Sequence, residues 1–267
     1  VNMQSKSKAE RDSGSLARGL AVLQSVVAAM RPVTLSEVSE NVGLPTSTCH
    51  RLLLALVDSG HVFKMDASRY CPSPRSLAPL PLDHPLNMLR RDAGPLLMNL
   101  QHEHGASALL ILFIGTSRLI VDFVPGGGHL APYFNTLVES PLHASVSGKL
   151  LLGALPVEQR EALLGDKPLE RCTRFTQCDR ELLTQELDQV SDCHRALNID
   201  EHLVGIRAVG VHLMTPSQTA VGALVLSGAA RLFEDRTQAM LEDLQQASRL
   251  LSDTAQSMRA VARLLNV

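Results

Sequence analysis

The sequence predicts a two-domain α+β protein: a compact three-helix unit carrying a β-hairpin, joined by a helical linker to a larger domain of antiparallel strands and helices. Three observations carry this. Val33 to Leu53 reads as two short helices about a tight turn. Pro72, Pro74, Pro79, Pro81 and Pro85 then punctuate one stretch, as a linker does. From Ala106 the apolar period changes from that of a helix to that of a strand.

Residues 1–14 are polar, with Lys6, Lys8 and Arg11, and read as a mobile arm without the apolar core of a secretion signal. Ser15 is expected to cap a helix whose apolar residues Leu16, Leu20, Leu23, Val27 and Met30 fall three or four apart, ended by Arg31-Pro32. Thr34 followed by Glu37 is a capping box, so a helix starts at Leu35, with Leu35, Val38 and Val42 on its apolar stripe. Gly43 ends it by taking the left-handed conformation. Pro45 cannot continue a helix interior, and Thr46 is expected to cap the next helix, which buries Leu52, Leu53 and Leu56 and stops at Ser59-Gly60. His61-Val62-Phe63 and Tyr70-Cys71 then flank a turn that displays Lys64 and Arg69. Three helices and a basic hairpin make a winged helix-turn-helix.

The first domain is placed at 15–80 and a linker helix at 81–104, with Pro95 expected to kink or restart it. The second domain, 105–267, begins with a buried strand over Ala108–Ile114, a turn at Gly115-Thr116-Ser117, and a strand over Arg118–Val124. A glycine loop at 126–128 and a third strand at Leu130–Asn135 follow. Helices are expected over Ser145–Leu155, Val157–Leu164 and Asp179–Asp192, and strands over Ile206–Leu213 and Ala220–Ser227. One long helix from Glu234 to Leu265 closes the chain. Helices gathered at the ends or on one face of an antiparallel sheet give the α+β class.

Composition bounds the function. At 267 residues, 45% hydrophobic and 19% charged, the chain is neither disordered nor membrane-embedded, and a cytoplasmic location is expected. Cys49, Cys71, Cys172, Cys178 and Cys193 are odd in number and scattered, unlike a disulfide framework. With no Trp, two Tyr and six Phe, base stacking on single strands is an unsuitable mode. Net charge is −2 but uneven: residues 1–80 carry nine Lys or Arg against six Asp or Glu, the rest sixteen against twenty-one. A basic head on an acidic body fits a DNA reader with a second domain.

The second helix of the turn opens with Thr46, Ser47 and Thr48, followed by His50 and Arg51. Hydroxyls and free N–H groups at a helix start suit phosphates and base edges. Arg51 is the candidate for bidentate reading of a guanine. Arg18, Lys64 and Arg69 are candidates for phosphate contacts, which position without specifying. The bland reading of each charge is a solvated surface side chain.

With those residues in place, the chain resembles the IclR family of bacterial transcriptional regulators over nearly its whole length. The resemblance rests on Ser15-Leu16-Ala17-Arg18-Gly19-Leu20 with the helix-turn-helix and wing, on Pro141 to Lys149, and on Asp200-Glu201, Gly205-Ile206 and Gly222–Gly228. It implies a GAF-like effector-binding domain, homodimers that pair into tetramers, control of catabolic genes from operator DNA, and no catalysis, cofactor or metal. It further implies that Val146, Ser147, Asn198, Ala208, Val225 and Ser227 line the effector site. Members that bind small oxo-acids are more polar at the positions of Ala208 and Val225, and often carry Asp where this chain has Asn198. The departure points to a ligand with more apolar surface, such as an aromatic or other ring compound with one polar end.

Rival readings are an enzyme and a helical adaptor without DNA. His143-Ala144-Ser145 with Ser147-Gly148 lacks the nucleophile-elbow spacing. Gly148-Lys149 is followed by Leu150 and preceded five residues earlier by His143, so it is not a phosphate loop. Cys172, Cys178, Cys193-His194, His102 and His104 lack zinc-site spacing.

Overall fold

The computed structural model describes residues 14–29, 31–73, 76, 83–127, 138 and 140–267. It forms two units, cut between Leu82 and Asp83. The expectations for the arm, for most of the proline linker and for a strand at 130–135 lie outside the described residues.

The first unit runs α1 (Ser15–Ala28), β1 (Val33–Thr34), α2 (Leu35–Val42), α3 (Thr46–Asp58), β2 (Val62–Lys64) and β3 (Arg69–Pro72). The capping box is present: Glu37 N donates to Thr34 Oγ1 at 3.3 Å, and Thr34 N to Glu37 Oε2 at 2.7 Å. Gly43 closes α2 at φ 65°, where an L side chain would be strained. Two expected caps move by one residue. Gly14 precedes α1 and Pro45 precedes α3, so Ser15 and Thr46 are first-turn residues rather than caps. Pro suits that place because its φ is already fixed near the helical value.

The stripe expected on α1 is corrected too. Val22 and Val26 are fully buried, with Leu23 beside them, whereas Leu16 and Leu20 are 77% and 51% exposed. The core closes on Val33, Val38, Cys49, Leu53, Val62 and Tyr70. On α3 the fully buried pair is Cys49 and Leu53, with Leu52 and Leu56 packed at their edge. The hairpin forms as expected, and β3 also pairs with the two-residue β1, giving the order β1-β3-β2. Pro72 is the last residue of β3, opposite Val62, where a missing N–H costs the ladder least.

The second unit opens with α4 (Pro85–His104), which runs through Pro95 without restarting. The sheet is β5-β4-β8-β7-β6, antiparallel throughout, from β4 (Ser107–Ile114), β5 (Ser117–Val124), β6 (Arg195–Ile199), β7 (Ile206–Met214) and β8 (Ala220–Ala229). Between β5 and β6 lie α5 (Val146–Ala154), α6 (Val157–Leu164) and α7 (Arg180–Cys193). After β8 come α8 (Thr237–Thr254) and α9 (Gln256–Leu265).

Both faces of the sheet are covered, which is why the central strands read as continuous apolar runs. Leu110, Leu112, Val209, Val211, Leu224 and Leu226 face α4, α8 and α9 through Leu89, Leu97, Met240, Leu244, Met258 and Val261. Leu109, Ile111, Ala223 and Val225 face α5 through Val146, Leu150 and Leu151. The helices therefore lie on two faces rather than one. The single terminal helix is also corrected. Ala255 is extended (φ −81°, ψ 123°) and separates α8 from α9. Thr254 Oγ1 donates to Leu250 O at 2.6 Å, a side-chain competitor to the helix ladder, and the break returns Met258 and Val261 to α4. Among the described residues, no helix is long and apolar enough to cross a membrane.

Candidate functional site

In the first unit, α3 buries Cys49 and Leu53 and turns Ser47, His50, Arg51 and Leu54 outward. Those four positions follow the helical spacing that puts residues on one face, so a polar stripe with one leucine runs along the exposed side. Thr46 is exposed and Thr48 half-buried. Pro45 supplies no side-chain cap, and although Thr48 N donates to Pro45 O at 2.9 Å, the N–H groups of Thr46 and Ser47 stay available to an outside acceptor. Thr46 Oγ1 lies 3.3 Å from Ser39 Oγ, which ties the start of α3 to α2.

Arg18 is half-buried on α1, while Lys64 and Arg69 are exposed on the hairpin. Lys64 Nζ sits 6.0 Å over the Tyr70 ring. Arg69 is not free: its Nε meets Asp66 Oδ2 at 2.6 Å. The Asp66 carboxyl is held down at about 2, first by the Ser68 backbone N–H and then by Arg69. Sequence reading of a basic tip missed this internal partner, although Asp66 was visible three residues away.

In the second unit the six expected effector-lining residues share one side of the sheet. Asn198, Ala208 and Ser227 are direct neighbours across β6, β7 and β8, and Ser227 is opposite Ser107 on β4. Val225 is one pleat further along β8, and Val146 and Ser147 open α5 above it. All except the half-buried Ala208 are buried. Gly210 lets α5 approach: a Cβ there would lie 2.5 Å from Val146 Cγ1 and 3.0 Å from Val225 Cγ2.

Polar groups around this patch are engaged in a definite pattern. Asn198 donates through Nδ2 to Ala144 O and accepts from Glu201 N at 3.2 Å. Lys149, 1% exposed, donates to Glu186 Oε1 at 2.7 Å, Glu201 Oε1 at 2.6 Å and Leu197 O at 3.2 Å, using all three ammonium hydrogens. Burial pushes the Glu201 carboxyl up, with Lys149 opposing. His212 Nε2 lies 2.8 Å from Leu150 O. A carbonyl only accepts, so Nε2 carries the proton, and the neutral ring accepts at Nδ1 from His194 Nδ1–H, 3.2 Å away.

One further residue was not foreseen. Arg118, on edge strand β5, is 5% exposed and reaches the start of α5. Its Nη1 donates to Ser145 Oγ at 2.8 Å and Ser147 Oγ at 3.1 Å, and its Nη2 to Val138 O at 3.1 Å and to Ser140 O. The signal was parity: Arg118 sits two residues from Ile120, on a strand whose same-side neighbours are apolar. Among the described residues, no group of three or more His, Cys, Asp or Glu could hold a metal ion.

Comparison with known proteins places both units. The IclR helix-turn-helix domain matches residues 15–63, and the bacterial transcriptional regulator IclR C-terminal domain matches residues 86–253. The acetate operon repressor of Salmonella typhimurium is 30% identical over 242 residues, covering 83% of this chain and 82% of the relative. The transcriptional repressor IclR of Escherichia coli is 28% identical over 240 residues, covering 83% and 82%. Thermotoga maritima IclR superposes with a TM-score of 0.67 at 23% identity, over 89% of this chain and 98% of that one. An IclR homolog from Microbacterium hydrocarbonoxydans, in complex with 4-hydroxybenzoate, does so at 0.67 and 21%, over 92% and 100%. At these identities the two structures speak for the fold alone.

Proposed function

The chain belongs to the IclR family of bacterial transcriptional regulators, and from that premise we propose that it reads its operator with α3 and answers to a small organic effector held between the sheet and α5. The observation that supports this most is the exposed stripe of Ser47, His50, Arg51 and Leu54 behind an uncapped helix start. Such an end enters a major groove with its N–H groups toward a phosphate and its side chains toward base edges. Arg18 and Lys64 add phosphate contacts from either side, and Arg69 adds one in competition with Asp66.

The protein works in the cytoplasm as a homodimer or a dimer of dimers. Two recognition helices must then stand about 34 Å apart, or at a multiple of that spacing, to meet successive grooves. An effector matters only through unequal affinity for two arrangements of those helices. The patch formed by Val146, Ala208 and Val225 with Ser147 and Ser227 favours a ring compound with a polar end, and the regulated genes are catabolic. Fluorescence anisotropy with the gene's own upstream DNA and a random duplex, at two salt concentrations, tests the DNA reading. Tight, salt-dependent binding with a large preference for the upstream DNA is expected. Equal binding to both duplexes and to every genomic fragment tried would overturn it.

A further inference from the structure

All five cysteines are free thiols, and their places in the fold are unequal. Cys49 is buried in the core of the first unit, and Cys71 lies on β3 of the same unit. Cys193 ends α7 and is exposed. Cys172 and Cys178 are both half-buried, and a single tight turn separates them.

Thr176 N donates to Thr173 O at 3.3 Å, and Thr173 N donates to Thr176 Oγ1 at 2.8 Å. A turn closed in this way brings its end residues within about 7 Å and sends the chain back on itself. Cys172 precedes the turn by one residue and Cys178 follows it by two, so the thiols lie on its two arms. Burial pushes the Cys172 thiol up, and charge on Glu170 and on Cys178 pushes it the same way. Charges this near the surface are felt only within about 10 Å, so the second thiol is a close neighbour of the first. Cys193 cannot take its place with Cys178, because the two stand at opposite ends of α7, roughly 20 Å apart at the helical rise.

The turn is fastened to the edge of the sheet. Thr173 Oγ1 donates to Asp200 O at 2.7 Å, Thr176 Oγ1 to Glu201 O at 2.7 Å, and His143 Nε2 to Glu170 O at 2.8 Å. Glu201 in turn receives Lys149 of α5. The two thiols therefore bracket the strap that holds a buried carboxylate in place. Arg171, Arg174 and Phe175 beside them are exposed, which leaves the pair open to a small oxidant.

We propose that Cys172 and Cys178 form a reversible thiol–disulfide pair, oxidised by hydrogen peroxide, whose closure fixes the Thr173–Thr176 turn on Asp200 and Glu201. One sulfur attacks a peroxide oxygen, the O–O bond breaks and water leaves, giving a sulfenic acid. The other sulfur attacks the first, the S–S bond forms, the S–O bond breaks and a second water leaves. Each sulfur is oxidised by one electron, both peroxide oxygens are reduced, and the two thiol protons end in the waters. In a reducing compartment such a pair rests as thiols and closes only transiently, and glutathione reopens it by exchange.

The test is peroxide treatment of the full-length protein, followed by alkylation and tryptic mapping without reductant. Cleavage after Arg171, Arg174 and Arg180 separates Cys172-Thr173-Arg174 from Phe175–Arg180, so the disulfide appears as those two peptides joined. The joined species should form, and dithiothreitol should abolish it. At a fixed glutathione ratio, the proportion of disulfide to dithiol should be roughly tenfold or more higher in the native protein than in urea. No joined species at any peroxide dose, an equal proportion in urea, or a link found only between two chains would overturn the pair. Fixing of the turn is read separately: brief trypsin digestion of the native protein should cut after Arg174 several-fold more slowly once oxidised. Cys172→Ser and Cys178→Ser should show no such slowing. Equal cutting of reduced and oxidised wild type would overturn the fixing, and slowing in either variant would assign it to another group. If a variant does not fold, the mapping and the digestion of wild type decide.

Discussion

The side-chain amide of Asn198, on edge strand β6, donates to the backbone carbonyl of Ala144 in the turn that leads into α5. Its oxygen accepts from Glu201 N at 3.2 Å, so one buried side chain joins the sheet edge, the entry to α5 and the segment that brings Glu201 to Lys149. The amide therefore positions the candidate site, with one N–H and one oxygen lone pair beyond these two bonds. Asn198→Leu should leave both partners unsatisfied and cost about 1–3 kcal/mol, read as a lower urea midpoint. Asn198→Asp should also destabilise, because a carboxylate cannot donate to Ala144. Unchanged midpoints for both variants would remove Asn198 from this role.

What was legible in the sequence, and what was not, follows from how local each signal is. The Thr34–Glu37 box and the left-handed Gly43 are set by four or five neighbouring residues, and both form as written. The stripe on α1 was misassigned because Leu16, Leu20, Leu23 and Val27 and the pair Val22 and Val26 both satisfy helical spacing. Only the tertiary position of α3 selects the buried set. Strand β6 was missed: five residues, Arg195-Ala196-Leu197-Asn198-Ile199, alternate weakly and lie at an edge. Arg118 was read as the start of a strand, since its partners are 20 to 29 residues away in sequence.

Gly148 is required by contact rather than by backbone conformation. A Cβ built on it would overlap the backbone oxygen and Cα of Leu142, so α5 could not dock against the turn before it. Gly148→Ala should destabilise the second unit by about 1–3 kcal/mol or more and loosen the segment that holds Ser145 and Ser147. Thermal unfolding of the variant should show it. A melting temperature equal to wild type would mean the Leu142 turn can move aside without cost.

His212 ties stability to pH. It is 3% exposed, and its pKa is lowered from 6.5 to about 4, mainly by burial, with His194 adding to the fall and the Leu150 carbonyl opposing it. The folded value lies below the unfolded one, so the unfolded chain takes up a proton first as pH falls. The stabilisation is complete above about pH 6.5 and is lost progressively down to about pH 4. Its full size is about 3 kcal/mol. Urea unfolding across that window should lose stability on acidification, and His212→Leu should flatten the dependence. An identical slope in the variant would assign the effect to other groups.

Arg51 and Asp66 give opposite expectations on the same DNA. Arg51 is exposed on the outward stripe of α3, without an ion pair among the described residues. If it forks onto a base, Arg51→Ala should weaken the operator by about 1–3 kcal/mol and relax preference at one position, while random duplex changes little. Asp66 holds Arg69 at 2.6 Å on the hairpin, where a carboxylate repels phosphate. Asp66→Asn should release Arg69 and raise affinity for operator and random duplex alike, with the salt slope steeper by up to about one phosphate contact. Anisotropy with both duplexes at several salt concentrations measures the two variants together. A uniform loss in Arg51→Ala would make Arg51 a phosphate contact, and an unchanged slope in Asp66→Asn would place the hairpin tip away from the backbone.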